Sequence, residues 1–239
     1  MKKKNCFITG TTKGLGLAIA EQMLAQGARV YGCARSASTI EHVNYSHQQI
    51  DLSQLAKIGD KLDVLLDGVQ QLDEVILNAG LLGDIKSISD FSQLEIESLM
   101  DVNVWSNKNI LDHVLKQMRI GEVVMVSSGA AVNGGKGWGA YSLSKATLNM
   151  LCQLYAAEYI DTHFISLAPG LIDTDMQAYL CDQSRVDEQI FPSIKRLRAA
   201  RGTADMPSPK ETATLILQAM PSLRQNTQSG QFVDIRNFW

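Results

Sequence analysis

A turn with three glycines separates the first apolar run from the first amphipathic one. Cys6-Phe7-Ile8 reads as a buried strand. Residues 15–25 carry apolar side chains three and four apart, the spacing of a helix packed on one side. Between them stands Thr9-Gly10-Thr11-Thr12-Lys13-Gly14-Leu15-Gly16. Glycines at 10, 14 and 16 allow a tight turn, a close backbone approach and close packing of the following helix. That helix begins near Gly14, so its free N–H groups and positive dipole end face the turn. Such a turn suits a pyrophosphate, and the strand–turn–helix setting is the context the motif requires.

The same alternation continues down the chain. Strands are expected at 28–33, 47–50, 75–77, 123–126 and 163–167, with an edge strand at Phe232-Val233. Helices are expected at 55–66, within 91–118, at 141–159 and at 210–219. The stretch after the second strand is short, so the helix there should shrink to a turn. Repeated strand-then-helix order with right-handed crossovers gives an α/β fold. The expectation is one doubly wound Rossmann-type parallel sheet of about seven strands, with helices on both faces. No linker composition or internal repeat divides 1–239, so a single domain is expected. Residues 173–206 break the rhythm, bounded by Pro169-Gly170 and Pro207-Ser208-Pro209. A long insertion after a late strand reads as a substrate lid.

Composition narrows the function. The 239 residues carry 22 basic and 25 acidic side chains, a formal net charge of -3. No basic excess points to nucleic acid or an anionic membrane. Lys2-Lys3-Lys4 precedes an apolar stretch that stops at Thr9-Gly10, too short for a signal core or a membrane span. A cytoplasmic protein is expected. Cys6, Cys33, Cys152 and Cys181 form no CxxC pair, and His42, His47, His113 and His163 lack ligand spacing. They read as reduced, mostly buried thiols and as no metal site.

Further motifs follow in order. Asn78-Ala79-Gly80 closes the fourth strand, Asn103 lies in the next helix, and Ser127-Ser128 ends the fifth strand. Tyr141-Ser142-Leu143-Ser144-Lys145 follows, and Pro169-Gly170 with Thr174 ends the sixth. Tyrosine and lysine four apart on a helix share a face, and an ammonium nearby favours the phenolate of a group whose free pKa is about 10. The glycine spacing is GxxxGxG rather than GxGxxG, and no other tyrosine has a lysine four residues on. This ordered set over residues 5–175 resembles the short-chain dehydrogenase/reductase family. Leu77 departs from the family's commoner NNAG form, and Ile165 stands where many members carry asparagine.

The resemblance implies an oxidoreductase that moves a hydride between a nicotinamide dinucleotide and a carbonyl or alcohol. Tyr141 would be the acid/base and Lys145 its partner, also bonded to the nicotinamide ribose. Ser128 would hold the substrate oxygen, and Asn103 a water leading from Lys145 to solvent. Gly10, Thr12, Lys13, Gly14, Leu15 and Gly16 would cradle the pyrophosphate. Asp51-Leu52 would hold the adenine, Asn78 and Ala79 would line the adenosine ribose, and Gly80 would also contact the cofactor. Pro169 and Gly170 would contact the cofactor, and Thr174 would bond its pyrophosphate or its nicotinamide amide. Asp51 and Thr174 also suit helix caps.

Strand two ends in Cys33-Ala34-Arg35-Ser36, without the carboxylate that accepts from a ribose 2′-OH. Arg35 can hold a 2′-phosphate bidentately and Lys13 can approach it, so NADP(H) is expected.

Leu81, Leu82, Gly129, Ala130, Trp138, Leu171, Met176 and Tyr179 are the expected pocket walls, suited to a hydrophobic or aromatic ketone, a diketone or an aldehyde. Stretches around Ser128–Tyr141 and Pro169–Gln177 look similar to the benzil reductase and sepiapterin reductase branch of the family. One alternative is a 3-oxoacyl carrier-protein reductase, against which Glu122 and Asp161 stand where an acidic partner would need basic residues. Another is a non-catalytic NADP(H)-sensing protein, for which the full set of Asn103, Ser128, Tyr141 and Lys145 is unneeded. Family members are mostly homodimers or homotetramers through the two long helices, here near 91–118 and 141–160. The apolar end Asn237-Phe238-Trp239 also suits packing on a neighbouring subunit.

Overall fold

Apolar runs without a polar face are stable as strands only when both faces are covered. In the computed structural model, which describes residues 3–182 and 184–238, that is how they are used. The strands are β1 Asn5–Thr9, β2 Arg29–Ala34, β3 Tyr45–Gln49, β4 Gln71–Leu77, β5 Arg119–Val126, β6 His163–Ala168 and β7 Gln231–Asp234. They form one sheet in the order β3-β2-β1-β4-β5-β6-β7, and every pairing is parallel. The helices are α1 Gly14–Ala25, α2 Ile58–Leu65, α3 Gln93–Met100, α4 Ser106–Gln117, α5 Gly139–Glu158, α6 Asp175–Cys181, α7 Ser193–Ala200 and α8 Pro209–Asn226.

Successive strand residues point to opposite faces, which divides the core in two. Ile8, Ile76, Val124 and Ile165 pack with Ile19 and Met23 of α1 and Ile216 and Leu223 of α8. Phe7, Val75, Val123 and Phe164 pack with Ile58 and Leu62 of α2, Ile110 of α4 and Leu148 of α5. Strand order reverses at the β1–β4 seam, and the crevice at the carboxyl ends there is the usual ligand position in open α/β sheets.

The doubly wound sheet of about seven strands expected from the sequence is present. As expected, no helix lies between β2 and β3. Other boundaries moved. The helix expected within 91–118 is split into α3 and α4 by a π-turn, Asp101–Trp105, which turns Asn103 and Val104 into the core. A 3-10 turn, Leu55–Lys57, precedes a shorter α2. The late helix runs on through Pro221, because the apolar stripe of Ile216, Ala219, Met220 and Leu223 continues past it. Within 173–206 lie α6 and α7, and the segment's two ends meet: the Asp173 N–H donates to the Pro207 carbonyl at 3.0 Å, and Arg201 pairs with Asp173 at 3.3 Å. No helix of the described residues is long and apolar enough to cross a membrane. Trp239, in the expected terminal contact, lies outside the described residues.

A row of titratable groups crosses the sheet beneath α1 and α8. Cys6, Glu74, Glu122 and His163 stand side by side in register on β1, β4, β5 and β6. Glu74 is 6% exposed and Glu122 3%, so Glu122 faces the interior and bears on no docking partner, leaving only the exposed Asp161 of that sequence argument. Lys4 pairs with Glu74 at 2.5 Å, and His163 Nδ1 lies 3.3 Å from Glu122. His163 Nε2 faces the Thr227 carbonyl at 3.3 Å and must donate there, so the contact with Glu122 needs one proton between the two groups. Burial pushes the Glu122 carboxyl upward, and the bond to His163 opposes that. A carboxyl raised on folding opposes stability above its folded pKa, and the penalty fades as pH falls through it. Glu122→Gln keeps the shape without a buried charge. It is expected to raise Tm at neutral pH, with the gain shrinking in acid, as read by calorimetry across pH. A lower Tm for Glu122→Gln at neutral pH would contradict this account.

Candidate active site

The glycine turn is shaped by steric need. Gly10 and Gly14 hold φ of +79° and +58°, the left-handed region that glycine enters freely. At Gly16 a Cβ would run into the Gly10 carbonyl oxygen and the Asn78 amide. Lys13 occupies the α1 N-cap without a capping side-chain bond, and the first turn holds no acidic residue. That helix end therefore presents N–H groups without a side-chain partner.

The turn is tied to the end of β4. Thr9 Oγ1 accepts from the N–H groups of Asn78 and Ala79, both at 3.0 Å, and the Asn78 side chain donates to the Thr9 carbonyl at 3.0 Å. Thr9 is fully buried. Its role is not among the sequence expectations; its signal is a threonine closing an apolar strand before a glycine turn.

Other residues expected at a cofactor behave unevenly. Arg35 is exposed beyond β2. The Lys13 ammonium lies 3.1 Å from Asp175 at the start of α6, so it pairs across the turn with the 173–206 segment. Both side chains are largely in water, and such pairs hold weakly. Asp51 accepts from the Ser53 N–H and hydroxyl, which closes a turn before Leu55–Lys57 and lowers its carboxyl pKa. Leu52 is buried. Thr174 sits at the α6 N-cap but makes no side-chain cap bond, and its methyl would lie 3.6 Å from a Cβ on Gly14. Pro169 and Gly170 are half-buried at the end of β6, with Gly170 at φ +79°.

Beyond β5, Ser128 accepts from the Ala130 N–H at 3.1 Å and shares a side-chain hydrogen bond with Tyr141. Lys145 is buried and donates to the Val126 carbonyl at 2.7 Å, with its ammonium 5.8 Å from the centre of the Tyr141 ring. A Cβ on Gly80 would sit 3.4 Å from that ammonium, so this glycine keeps the space in front of it open. Asn103 is fully buried: Oδ1 accepts from the Leu81 N–H at 2.7 Å, and Nδ2 donates to the Leu81 carbonyl at 2.8 Å and to Ser144 at 2.9 Å. Its carbonyl, displaced by the π-turn, accepts from the Asn107 side chain at 2.8 Å. The side chain of Asn103, the residue expected to hold a water, clamps the strand-end loop. Ser144, which donates to the Tyr141 carbonyl at 2.8 Å, links the clamp to α5.

Electrostatics departs from the sequence reading. Burial pushes the Tyr141 phenol upward, and the Ser128 bond only offsets part of that. Burial pushes the Lys145 ammonium down to about 8. The net shift of the phenol is upward because both groups are desolvated and the nearest contact of the ammonium is the Val126 carbonyl.

The expected pocket walls gather around an apolar cluster. Leu82, Leu180, Val186, Phe191, Ile194 and Leu197 form it, and Trp138, Tyr141, Leu171, Met176 and Tyr179 pack against it. Trp138 Nε1 donates to Ser193 at 2.8 Å, and the rings of Trp138 and Tyr141 are 6.2 Å apart. Leu81 and, in the 3-10 turn Gly129–Ala131 after Ser128, Ala130 are half-buried. Phe191, Ile194 and Leu197 escaped the sequence reading because their contact with the site comes from the folding back of α7.

A glycine turn at the switch point, with strand-end polar groups beside it, defines a dinucleotide-binding α/β fold. The chain belongs to the short-chain dehydrogenase family, whose profile, described as "short chain dehydrogenase", matches residues 4–185. It is 32% identical over 245 residues to the benzil reductase ((S)-benzoin forming) of Bacillus subtilis, covering 97% of this chain and 98% of that one. It is 30% identical over 254 residues to the sepiapterin reductase of Meriones unguiculatus, covering 96% and 95%. Among solved structures, KRED1-Pglu superposes with a TM-score of 0.82 at 27% identity, covering 97% of this chain and 100% of that one. The chain is therefore a short-chain oxidoreductase in the branch of the benzil and sepiapterin reductases, and its family uses NAD or NADP.

Gly16→Ala tests the turn. Backbone on one side and Asn78 on the other leave the methyl no room, and such overpacking costs about 1–3 kcal/mol. A lower Tm and lost cofactor binding are expected, read by circular dichroism and by quenching of tryptophan fluorescence on titration. A variant that binds cofactor normally would show that the close approach is dispensable.

Proposed function

We propose that this protein is an NADP(H)-dependent carbonyl reductase, and that Tyr141 is its proton donor. The observation that carries the reading is the set Ser128–Tyr141–Lys145 at the end of β5, across the β4 end from the uncapped glycine turn. The residues at the turn fit a dinucleotide: two left-handed glycines, a third with no room for a side chain, and a bare helix N-terminus. Gly10, Thr12, Gly14, Leu15 and Gly16 would hold its pyrophosphate, and Asp51, Leu52, Asn78, Ala79 and Gly80 its adenosine. Pro169, Gly170 and Thr174 would face the nicotinamide half. Arg35, with Lys13 released from Asp175, would take the 2′-phosphate that distinguishes NADP from NAD. When bound, the reduced cofactor supplies the hydride.

The chain's own groups do the rest. Ser128 holds the substrate oxygen beside Tyr141. A buried phenol is neutral at ordinary pH, so Tyr141 is charged with a proton to give to that oxygen, which favours reduction. The Lys145 ammonium then stabilises the phenolate left behind. Asn103 keeps Leu81 and, through Ser144, α5 in register with this set. Ala130, Trp138, Leu171 and Met176 form an apolar wall suited to ketones, diketones or aldehydes with aromatic or hydrophobic substituents. Residues 173–206 act as the lid, and 1–239 function as one domain in a cytoplasmic homodimer or homotetramer. The relatives named benzil reductase and sepiapterin reductase support a vicinal diketone or a related side chain over an acyl thioester.

An NADPH-oxidation assay over diketones, aldehydes and acyl thioesters, repeated with NADH, tests the reading. Tyr141→Phe is expected to lower kcat at least about a hundredfold while leaving NADPH binding nearly unchanged. Retained turnover would refute the role of Tyr141, and no turnover on any substrate by the wild type would favour a sensing protein. Lys145 keeps its charge only below about 8, so kcat/KM for reduction is expected to fall as pH rises through that value. A profile flat well beyond it would remove the Lys145 charge from the reaction.

A further inference from the structure

The short crossover between β2 and β3 lacks the helix that would normally brace it, yet its first residues are held by an unusual number of side chains. Three alternate residues of β3, Tyr45, His47 and Gln49, all reach back toward the end of β2. Gln49 Nε2 donates to the Arg35 carbonyl at 3.3 Å. His47 Nε2 lies 3.0 Å from the Ser36 carbonyl, and His47 Nδ1 lies 3.0 Å from the Tyr45 hydroxyl. The Tyr45 hydroxyl is 2.9 Å from Thr11 Oγ1, and the Ser36 hydroxyl donates to Thr12 Oγ1 at 3.1 Å. Thr11 and Thr12 are neighbours in the glycine turn, so the contacts close a ring: Thr11, Tyr45, His47, Ser36, Thr12.

The ring has a defined direction. A carbonyl can only accept, so His47 Nε2 carries a hydrogen toward Ser36. In the neutral imidazole Nδ1 is then an acceptor, the Tyr45 hydroxyl donates to it, and the Thr11 hydroxyl donates to Tyr45. The Tyr45 hydroxyl and both ring nitrogens of His47 thus each have a partner. The sequence also makes room for it. Gly32, in the middle of β2, lies where a Cβ would collide with the Tyr45 hydroxyl and Thr11 Oγ1. Glycine weakens a strand interior, and its presence there marks a close approach. The polar pattern of β3, which makes it a faint strand in the sequence, follows from the same duty.

We propose that Tyr45 and His47, with Gln49, are positioning residues that fix the Arg35–Ser36 backbone relative to the glycine turn and so set the preference for NADP over NAD. This rests on the reading that Arg35 takes the 2′-phosphate. Arg35 is exposed, and an exposed arginine on a free loop loses much of its binding energy to ordering. Holding two successive carbonyls, those of Arg35 and Ser36, removes that loss before the ligand arrives. NADH has no 2′-phosphate and gains nothing from it.

The test is direct binding of NADPH and NADH, by calorimetry, to the wild type and to Arg35→Ala, His47→Ala, His47→Gln and Tyr45→Phe, with Tm recorded for each. His47→Ala and Tyr45→Phe are expected to weaken NADPH binding about tenfold and leave NADH within about twofold. KM for NADPH should rise without a matching fall in kcat. His47→Gln, whose amide can still donate to the Ser36 carbonyl, should recover most of the NADPH affinity. If His47→Ala does not fold, Tyr45→Phe, which keeps the ring and loses only the hydroxyl, carries the comparison. Equal losses for both cofactors, or no loss with a preference that Arg35→Ala does abolish, would overturn the positioning role. A wild type without preference, or a preference indifferent to Arg35→Ala, would overturn the dinucleotide reading and this inference with it.

Discussion

The approach of α1 to the β1–β4 seam is the constraint on which the rest depends. At Gly16 the helix lies so near the Gly10 carbonyl and Asn78 that no side chain fits, and Thr9 binds the two strand ends together from below. That closeness aims a bare helix end at the place where strand order reverses. Because the strands are parallel, the ends of β4, β5 and β6 open on the same edge, and the loops bearing Gly80, Ser128 and Pro169 converge there. The active-site groups need no long loop to find each other.

What the sequence disclosed was what repeats or what has a fixed spacing. Short unbroken apolar runs located the strands and a three-to-four spacing most helices, and Tyr141 with Lys145 stood out by their separation within an ordered set of motifs. What stayed hidden depends on contacts between distant parts. The π-turn at Asp101–Trp105 leaves no mark in periodicity, because Val102 and Val104 fit a plain helix as well. Phe191 and Ile194 join the site only because the ends of 173–206 are drawn together at Asp173 and Pro207. Tyr45 and His47 looked like a poor strand, since their value lies in hydrogen bonds to residues 11 and 34 positions away.

The pair at the centre is a case where spacing misleads about energy. Four residues apart on a helix, Tyr141 and Lys145 were expected to depress the phenol. Burial dominates instead: desolvation is the largest influence on both groups, and the net shift of the phenol is upward. The buried ammonium is tolerated because the Val126 carbonyl receives it. Its weakened basicity is a consequence of the depth at which α5 must lie to bring the phenol to the strand ends.

The row of Cys6, Glu74, Glu122 and His163 has a different bearing. It crosses the sheet on the side of α1 and α8, whereas Tyr141 and Lys145 stand over the strand ends with the apolar cluster of the 173–206 segment. Two sets of acid–base groups thus occupy separate compartments of one small molecule. The first bears on how firmly the chain stays folded as pH changes, and the second, in the proposed chemistry, on how turnover responds. An engineer could shift the working pH of such a catalyst without touching its durability, or harden it against acid without retuning its turnover.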